Sequence, residues 1–492
     1  MAALLGLCLF AAGCSSGGDD DVTTDEGLGD PGDCVVVDLA VSSEKVALMT
    51  DLAKDFNVSS AAKVGDECIF ARPQGKASGA AATLLGTDWD EEAEGPRPVV
   101  WSPASSAWGA ILNQRLADQG QKAMAPESKP FQQTPLVIAM PKPMADALGY
   151  PRTPVGFADI LKLSQDAEGW AAFGHPEWGP FRLGKTNPNF STSGLSALIA
   201  QAYAATGKTT GLSKEDLDDP KTEAFATGVE SAVVHYGDIT GTFLNNWFRT
   251  DRDGTSLTYA SAVAVEEKSV IDYNAGNPDG VLDPGEQPRK PRIPLVAVYP
   301  KEGTLYSDNP FIVLDAEWVD EKERRAARAF ETFVQLPDNQ RKVLKFGFRP
   351  GNPDVAVGSP ITKANGVDPT QPEKLLDVPA PPVLIDLLDK WSQQRKSARV
   401  LLVLDVSGSM KEIADPDTQE TRLDLAKRAA IEALDQFKEE DEVGLRIFTT
   451  DLDEEGATFL DLVPVEPIGP NKETLRREIS DQFPATPPRS TT

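Results

Sequence analysis

The feature that most restricts the fold is a recurring order of short apolar runs and amphipathic segments. VVVDLAVS precedes EKVALMTDLAKDF, DECIFARP precedes the Gly/Ala-rich SGAAATLLG, PVVWSP precedes SSAWGAILNQRLADQ, and near the C-terminus RVLLVLD precedes TRLDLAKRAAIEALDQFKEEDE. The first member of each pair has the pattern of a buried strand, and the second carries apolar residues at helical spacing. Strands that alternate with helices bury both their faces only in a largely parallel sheet covered by helices, so the fold class is α/β. At 492 residues the chain is too long for a single core, and two or three domains are expected.

Charge narrows the partners. The 76 Asp and Glu outnumber the 48 Lys and Arg, a formal net charge of -28 that repels nucleic acid phosphates, so nucleic acid is not an expected partner. His175 and His235 are far apart and have no Cys or His neighbours at metal-ligand spacing, which excludes an ordinary zinc site or Ser-His-Asp triad. With no nucleophile and base pair visible, catalysis is not expected.

The N-terminus, MAALLGLCLFAAGCSSGGDDD, opens on an apolar run too short to span a bilayer and ends in small residues. Ala11-Ala12-Gly13-Cys14, followed by polar residues, resembles a bacterial lipobox, which implies a signal peptide over residues 1–14 and lipidation of Cys14. Residues 15–32 are rich in Gly, Asp and Ser and read as a disordered tether. The expectation is an exported protein, lipid-anchored at the extracellular face of the cell membrane. In an oxidising compartment Cys34 and Cys68, the two thiols left in the folded part, are expected to pair across neighbouring strands.

Beyond the first strand and helix pairs, PLVIAMPKPMADALGY starts a strand and breaks. A second alternating region follows, with FRLGKTNPNFSTSGLSALIAQAYAATG, a helix expected from about Lys221 to Trp247, and TYASAVAVEEKSVIDY. IPLVAVYPKEGTLYSDNPFIVLD then returns toward the first lobe. This succession over residues 33–375 resembles the type II periplasmic solute-binding proteins, and AARAFETFVQLPDNQRKVLKFGFRPG is similar to that family's late helix pair. The resemblance implies two α/β lobes joined by crossing strands, with a ligand held in the cleft between them.

The residues say what such a cleft offers. Ser42, then Ser102, Ser105 and Ser106, then Ser191, Thr192 and Ser193 lie in loops between a strand end and a helix start. Hydroxyls and free backbone N–H groups there suit a small polar or anionic solute, although Ser and Thr are also what any helix start prefers as caps. The loop NAGNPDGVLDPGE has calcium-loop features in Asn277, Asp279, Gly280 and Glu286, but its prolines and Ala275 favour a solvated connection.

Prolines in VPAPPVLIDLLDKWSQQRKSA mark residues 376–397 as a linker, and residues 398–492 form a further domain. RVLLVLD reads as a central strand that holds its charge to the last position. Asp405 therefore stands at the carboxyl end, where ligands bind in open α/β sheets. Asp405, Ser407 and Ser409 alternate outward as one carboxylate and two hydroxyls, a hard oxygen set suited to Mg²⁺ or Mn²⁺. Leu423, Leu425, Ala429, Ile431, Leu434 and Phe437 are available to the sheet side of the following helix. The stretch LDVSGSM resembles the metal-ion-dependent adhesion site of von Willebrand factor type A domains. That resemblance implies a partial, Rossmann-like domain whose magnesium receives a carboxylate from a protein partner, with further threonine and aspartate ligands from later loops. The tail PATPPRSTT reads as the end of a fragmentary or frameshifted product, expected to lack at least the second carboxylate, so that Mg²⁺ or Mn²⁺ is expected either held by the three ligands that remain or lost with the truncation. The leading expectation is a surface recognition protein with an adhesion-type site; the other is the solute receptor of an ABC-type importer.

Overall fold

The computed structural model describes residues 27–281, 287–414, 419–450, 452 and 457–484. Cys14 and Glu286 lie outside the described residues. The chain divides into two compact units at Trp391 and Ser392.

Four strands come first: β1 (Val35–Val41), β2 (Lys63–Val64), β3 (Glu67–Gly75) and β4 (Val100–Ser102). β1 lies parallel to β3 and β4, as strand and helix alternation requires. Between β1 and β3 runs the helix Val46–Asn57, whose Leu48, Met49, Leu52, Ala53 and Phe56 are buried on one stripe. Phe56 meets Phe330 of the helix Glu321–Val334 with ring centroids 5.0 Å apart, so a late segment closes the first lobe. Val35 pairs with Ile69, which puts the preceding residues, Cys34 and Cys68, side by side, and they form a disulfide with Cα atoms 4.7 Å apart.

The second sheet contains β5 (Gln132–Pro141), β6 (Leu183–Thr186), β7 (Val233–Gly237), β8 (Ala262–Glu266), β9 (Leu295–Val298) and β10 (Tyr306–Ser307). β6 is parallel to β7 and β8, while β5 runs antiparallel to β8, β9 and β10. After β10 the chain crosses to the first sheet, where β11 (Ile312–Val313) pairs with β4, and later β12 (Arg349–Pro350) returns to β5. The crossings 130–132 and 307–310 run together, joined by a bridge between Pro130 and Pro310 and by the Phe131 N–H donating to the Asn309 carbonyl at 3.3 Å.

One expected element is overturned. Residues 221–247 are not one helix: the helices Pro220–Ala232 and Thr240–Arg252 flank β7. The β-branched and aromatic residues of VVHYG favour a pleated strand, and the sheet edge beside β6 gives it a partner. The helical spacing on either side concealed it.

Within the second unit β13 (Arg399–Asp405) lies parallel to β14 (Glu442–Phe448), and β15 (Phe459–Pro467) pairs antiparallel with β14. β13 is an edge strand among the described residues rather than a central one, and its burial alternates, with Val400, Leu402 and Leu404 inward and Leu401 and Val403 exposed. The helix Arg422–Ala433 buries Leu423, Ala430 and Ala433; Ala429, expected on the sheet side, is exposed. Thr421 and Asp424 close a capping box at its start.

The disulfide closes a span of 34 residues in sequence. Replacing Cys34 and Cys68 together by Ala is expected to lower the stability of the two-lobed unit by roughly 3–4 kcal/mol, read from urea denaturation. An unchanged midpoint would show that the bridge contributes nothing.

Candidate functional site

The carboxyl ends of β1 and β4 meet. The Ser42 N–H donates to the Ser102 carbonyl at 3.1 Å, and the Ser42 hydroxyl donates to Glu44 at 2.6 Å. Ser102 donates to the Pro310 carbonyl at 2.7 Å, and Ser105 caps the helix Ser106–Asp118 by accepting from the Ala107 N–H. Ser106 is exposed, and its N–H donates to Asp308 at 2.7 Å. The Ser105 hydroxyl is thus used in capping and the Ser102 hydroxyl in a bond to the crossing at Pro310, while the Ser42 hydroxyl bonds Glu44 and makes no side-chain cap.

Next to these loops Lys45 is buried and donates to the Pro103 carbonyl at 2.8 Å and to Asn309 Oδ1 at 2.9 Å. Burial lowers its pKa to about 7, against the opposing charges of Glu44 and Asp308.

The second lobe holds a tighter constellation. Ser193, in the first turn of the helix Thr192–Thr206, lies 2.9 Å from the Ser191 hydroxyl, 3.0 Å from Thr186 at the end of β6 and 2.8 Å from Thr240. Thr240 in turn donates to Glu266 Oε2 at 3.3 Å. Since each hydroxyl has one proton to give, these bonds form a directional chain whose terminal acceptor is a carboxyl group. Glu266 ends β8, is 3% exposed, and has its pKa pushed up to about 8 by burial and, after that, by the charge of Glu44 from the first lobe. Thr192 accepts from the Trp108 indole N–H of the first lobe at 2.8 Å, and both residues are buried.

Of the sequence-derived candidates, Ser191 and Ser193 share this constellation, Thr192 borders it, and Ser42, Ser102, Ser105 and Ser106 belong to the loops of the first lobe. Thr186, Thr240, Glu266 and Trp108 were not among those candidates. Glu266 carries the same signal that singles out Asp405, an acid held to the last position of an apolar strand, here AVAVE. Thr240 was hidden because β7, which delivers it, was read as helix.

In the second unit Asp405 Oδ1 accepts from the Ser407 N–H at 2.7 Å, and the Ser407 and Ser409 hydroxyls lie 3.0 Å apart. Val406 turns into the core. This places one carboxylate and two hydroxyls together, and among the described residues no group of three or more His, Cys, Asp or Glu could hold a metal ion.

The two-lobed unit can now be set beside known proteins. The family model described as bacterial extracellular solute-binding protein matches residues 37–349. The chain belongs to that family. Its fold is also similar to several solved solute-binding proteins. They include a periplasmic thiamin binding protein, 11% identical with a TM-score of 0.47, over 73% of this chain and 96% of that one. The periplasmic binding protein AfuA from Actinobacillus pleuropneumoniae, with exogenous fructose-6-phosphate bound, is 13% identical with a TM-score of 0.47, over 73% and 98%. The sulfate-binding protein SubI from Mycobacterium tuberculosis H37Rv is 14% identical with a TM-score of 0.42, over 73% and 96%. A search of curated proteins finds no match. Solute-binding proteins of this family are exported binding proteins and typically not enzymes. The family match ends before the unit that carries Asp405.

For this solute-binding protein Glu266 generates a pH dependence. Its folded pKa lies above the ordinary value of 4.5, so its contribution is fully present below about 4.5 and is lost as pH rises through about 8. Between pH 4.5 and 8.5 the urea midpoint of wild type should therefore fall relative to that of Glu266→Gln. Parallel profiles for the two proteins would contradict the burial of this carboxyl.

Proposed function

We propose that this chain is the solute receptor of an ABC-type importer and that a small polar solute binds where the two lobes meet. The single observation that carries this reading is the convergence of Thr186, Ser191, Ser193 and Thr240 on Glu266, at the start of a buried helix and beside a contact from the opposite lobe. Hydroxyls that bond one another can exchange those bonds for a solute's polar groups, and the helix N-terminus adds unpaired N–H donors. The charge of Glu44 beside the constellation disfavours a multiply charged anion. A neutral solute rich in hydroxyl or amide groups, or a cationic amine, fits the same donors and acceptors. Export with a lipid anchor at Cys14 would hold such a receptor at the extracellular face of the membrane.

The test is a thermal-shift panel of sugars, polyols, amines, amino acids, phosphate and sulfate on the purified protein, followed by calorimetric titration. A solute that raises Tm is expected to bind about tenfold more weakly to Ser193→Ala, the cost of one buried hydrogen bond, and with unchanged affinity to Asp405→Ala. A panel in which nothing shifts Tm, or an affinity indifferent to Ser193, would overturn the reading.

The clustering of Asp405, Ser407 and Ser409 supports a second reading for the C-terminal unit. These three oxygen donors would hold Mg²⁺ or Mn²⁺, which would offer an open coordination position to a carboxylate of a protein partner, as adhesion requires. Such a cation is expected to raise the Tm of wild type and not of Asp405→Ala, and EDTA to reverse the rise. Equal melting of the two proteins in excess Mg²⁺ would remove this site from consideration.

A further inference from the structure

The two lobes touch at a place with no tolerance for added atoms. Gly79, near the start of the helix Ser78–Gly86 in the first lobe, donates its N–H to the carbonyl of Phe190 in the second lobe at 3.1 Å. A Cβ at Gly79 would lie 1.9 Å from the Asn189 carbonyl oxygen, 2.7 Å from its carbon and 2.7 Å from the Trp108 ring. The first two are backbone atoms, which no side-chain rotation can move aside. Beside this contact the Trp108 indole bonds Thr192 at 2.8 Å, and Trp108 is fully buried. Phe190 and Thr192 flank Ser191, so both bonds grip the same short loop of the second lobe, and that loop carries the hydroxyl constellation.

We propose that Gly79 and Trp108 form the latch that holds the lobes together and that both are positioning residues for the solute site. Each bond joins segments that are connected only through the hinge crossings, so each exists only while the lobes are apposed. When the lobes part, the indole N–H, the Thr192 hydroxyl, the Gly79 N–H and the Phe190 carbonyl all pass to water, which replaces every lost bond. The net preference for the closed form is therefore small and adjustable. Apparent solute affinity scales with the fraction of molecules in the binding-competent form, so the latch sets affinity without contacting solute. This inference rests on the two-lobed receptor reading.

The contact itself is tested without solute, and its effect on affinity with any solute found by the thermal-shift panel. Hydrogen exchange read by mass spectrometry on the full chain is compared for wild type, Gly79→Ala, Thr192→Val and Trp108→Phe. Gly79→Ala is expected to speed exchange in both residues 78–86 and residues 187–195 by at least about tenfold, while β1 peptides keep wild-type protection. Thr192→Val removes the bond to Trp108 with little change of volume, while Trp108→Phe removes the same bond and also part of a buried ring; both are expected to give a smaller rise, roughly fivefold, in the same two segments. Unchanged exchange in the three variants, or a rise confined to one lobe, would overturn the latch. If Gly79→Ala loses protection in β1 as well, it has unfolded, and the two milder variants decide. Should the latch respond while no solute is found, the receptor reading fails and the positioning role falls with it, leaving only the lobe-to-lobe contact. Should a solute bind equally well to all four proteins, the latch fails and the receptor reading stands.

Discussion

The two-lobed unit depends on an ammonium group held where water cannot reach it. Lys45 follows β1, and its donors are taken by the Pro103 carbonyl, in the loop after β4, and by Asn309, in one of the crossings between the lobes. Removing a charge from water is costly unless it finds partners, and the lowered pKa of Lys45 reflects that cost. The geometry that results binds three separate pieces of chain to one point. Asn309 holds a left-handed backbone with φ of 41°, uncommon for a residue with a side chain, while its amide donates to the Ser307 carbonyl and its oxygen accepts from Lys45. The loops that follow β1 and β4 are therefore placed relative to the hinge by one side chain.

The same economy of buried polar groups shapes the second lobe. Arg349, from β12, grips Glu267 with two bonds of 2.9 and 2.7 Å, and Tyr299 donates to the same carboxylate. Glu267 is thereby fully committed to structure, whereas the adjacent Glu266 receives, among the side chains of the described residues, only the weak bond from Thr240, and burial holds its proton above the ordinary carboxylate range. Two neighbouring glutamates thus differ in role because one faces a guanidinium and the other a chain of hydroxyls. Neutral hydroxyls cannot neutralise a carboxylate, so burial at Glu266 favours its protonated form.

Much of the architecture was legible in the sequence because periodicity reports which face of an element is buried. The strand and helix pairs up to Asp118 appear as expected, and Cys34 and Cys68 pair because the register of β1 against β3 makes them neighbours. The failures have equally physical causes. β7 is five residues long and lies between two helices, too short to impose a period of two on its surroundings. Within the site, Ser191, Thr192 and Ser193 were visible as hydroxyls at a helix start, while Thr186 and Thr240 belong to other elements and became candidates only through the fold that gathers them.

What the sequence determined by itself is local: apolar runs that must be strands, stripes that must be helices, two cysteines in one compartment, and an acid at the end of each of two apolar strands. Only tertiary structure decided which hydroxyls meet and which serve as caps or hinge bonds, because a helix-start serine has the same local preference in either role. It likewise decided that Gly79 admits no side chain. The atoms that forbid one belong to Asn189, 110 positions further along the chain and in the other lobe, and no local propensity reports contact with a distant backbone.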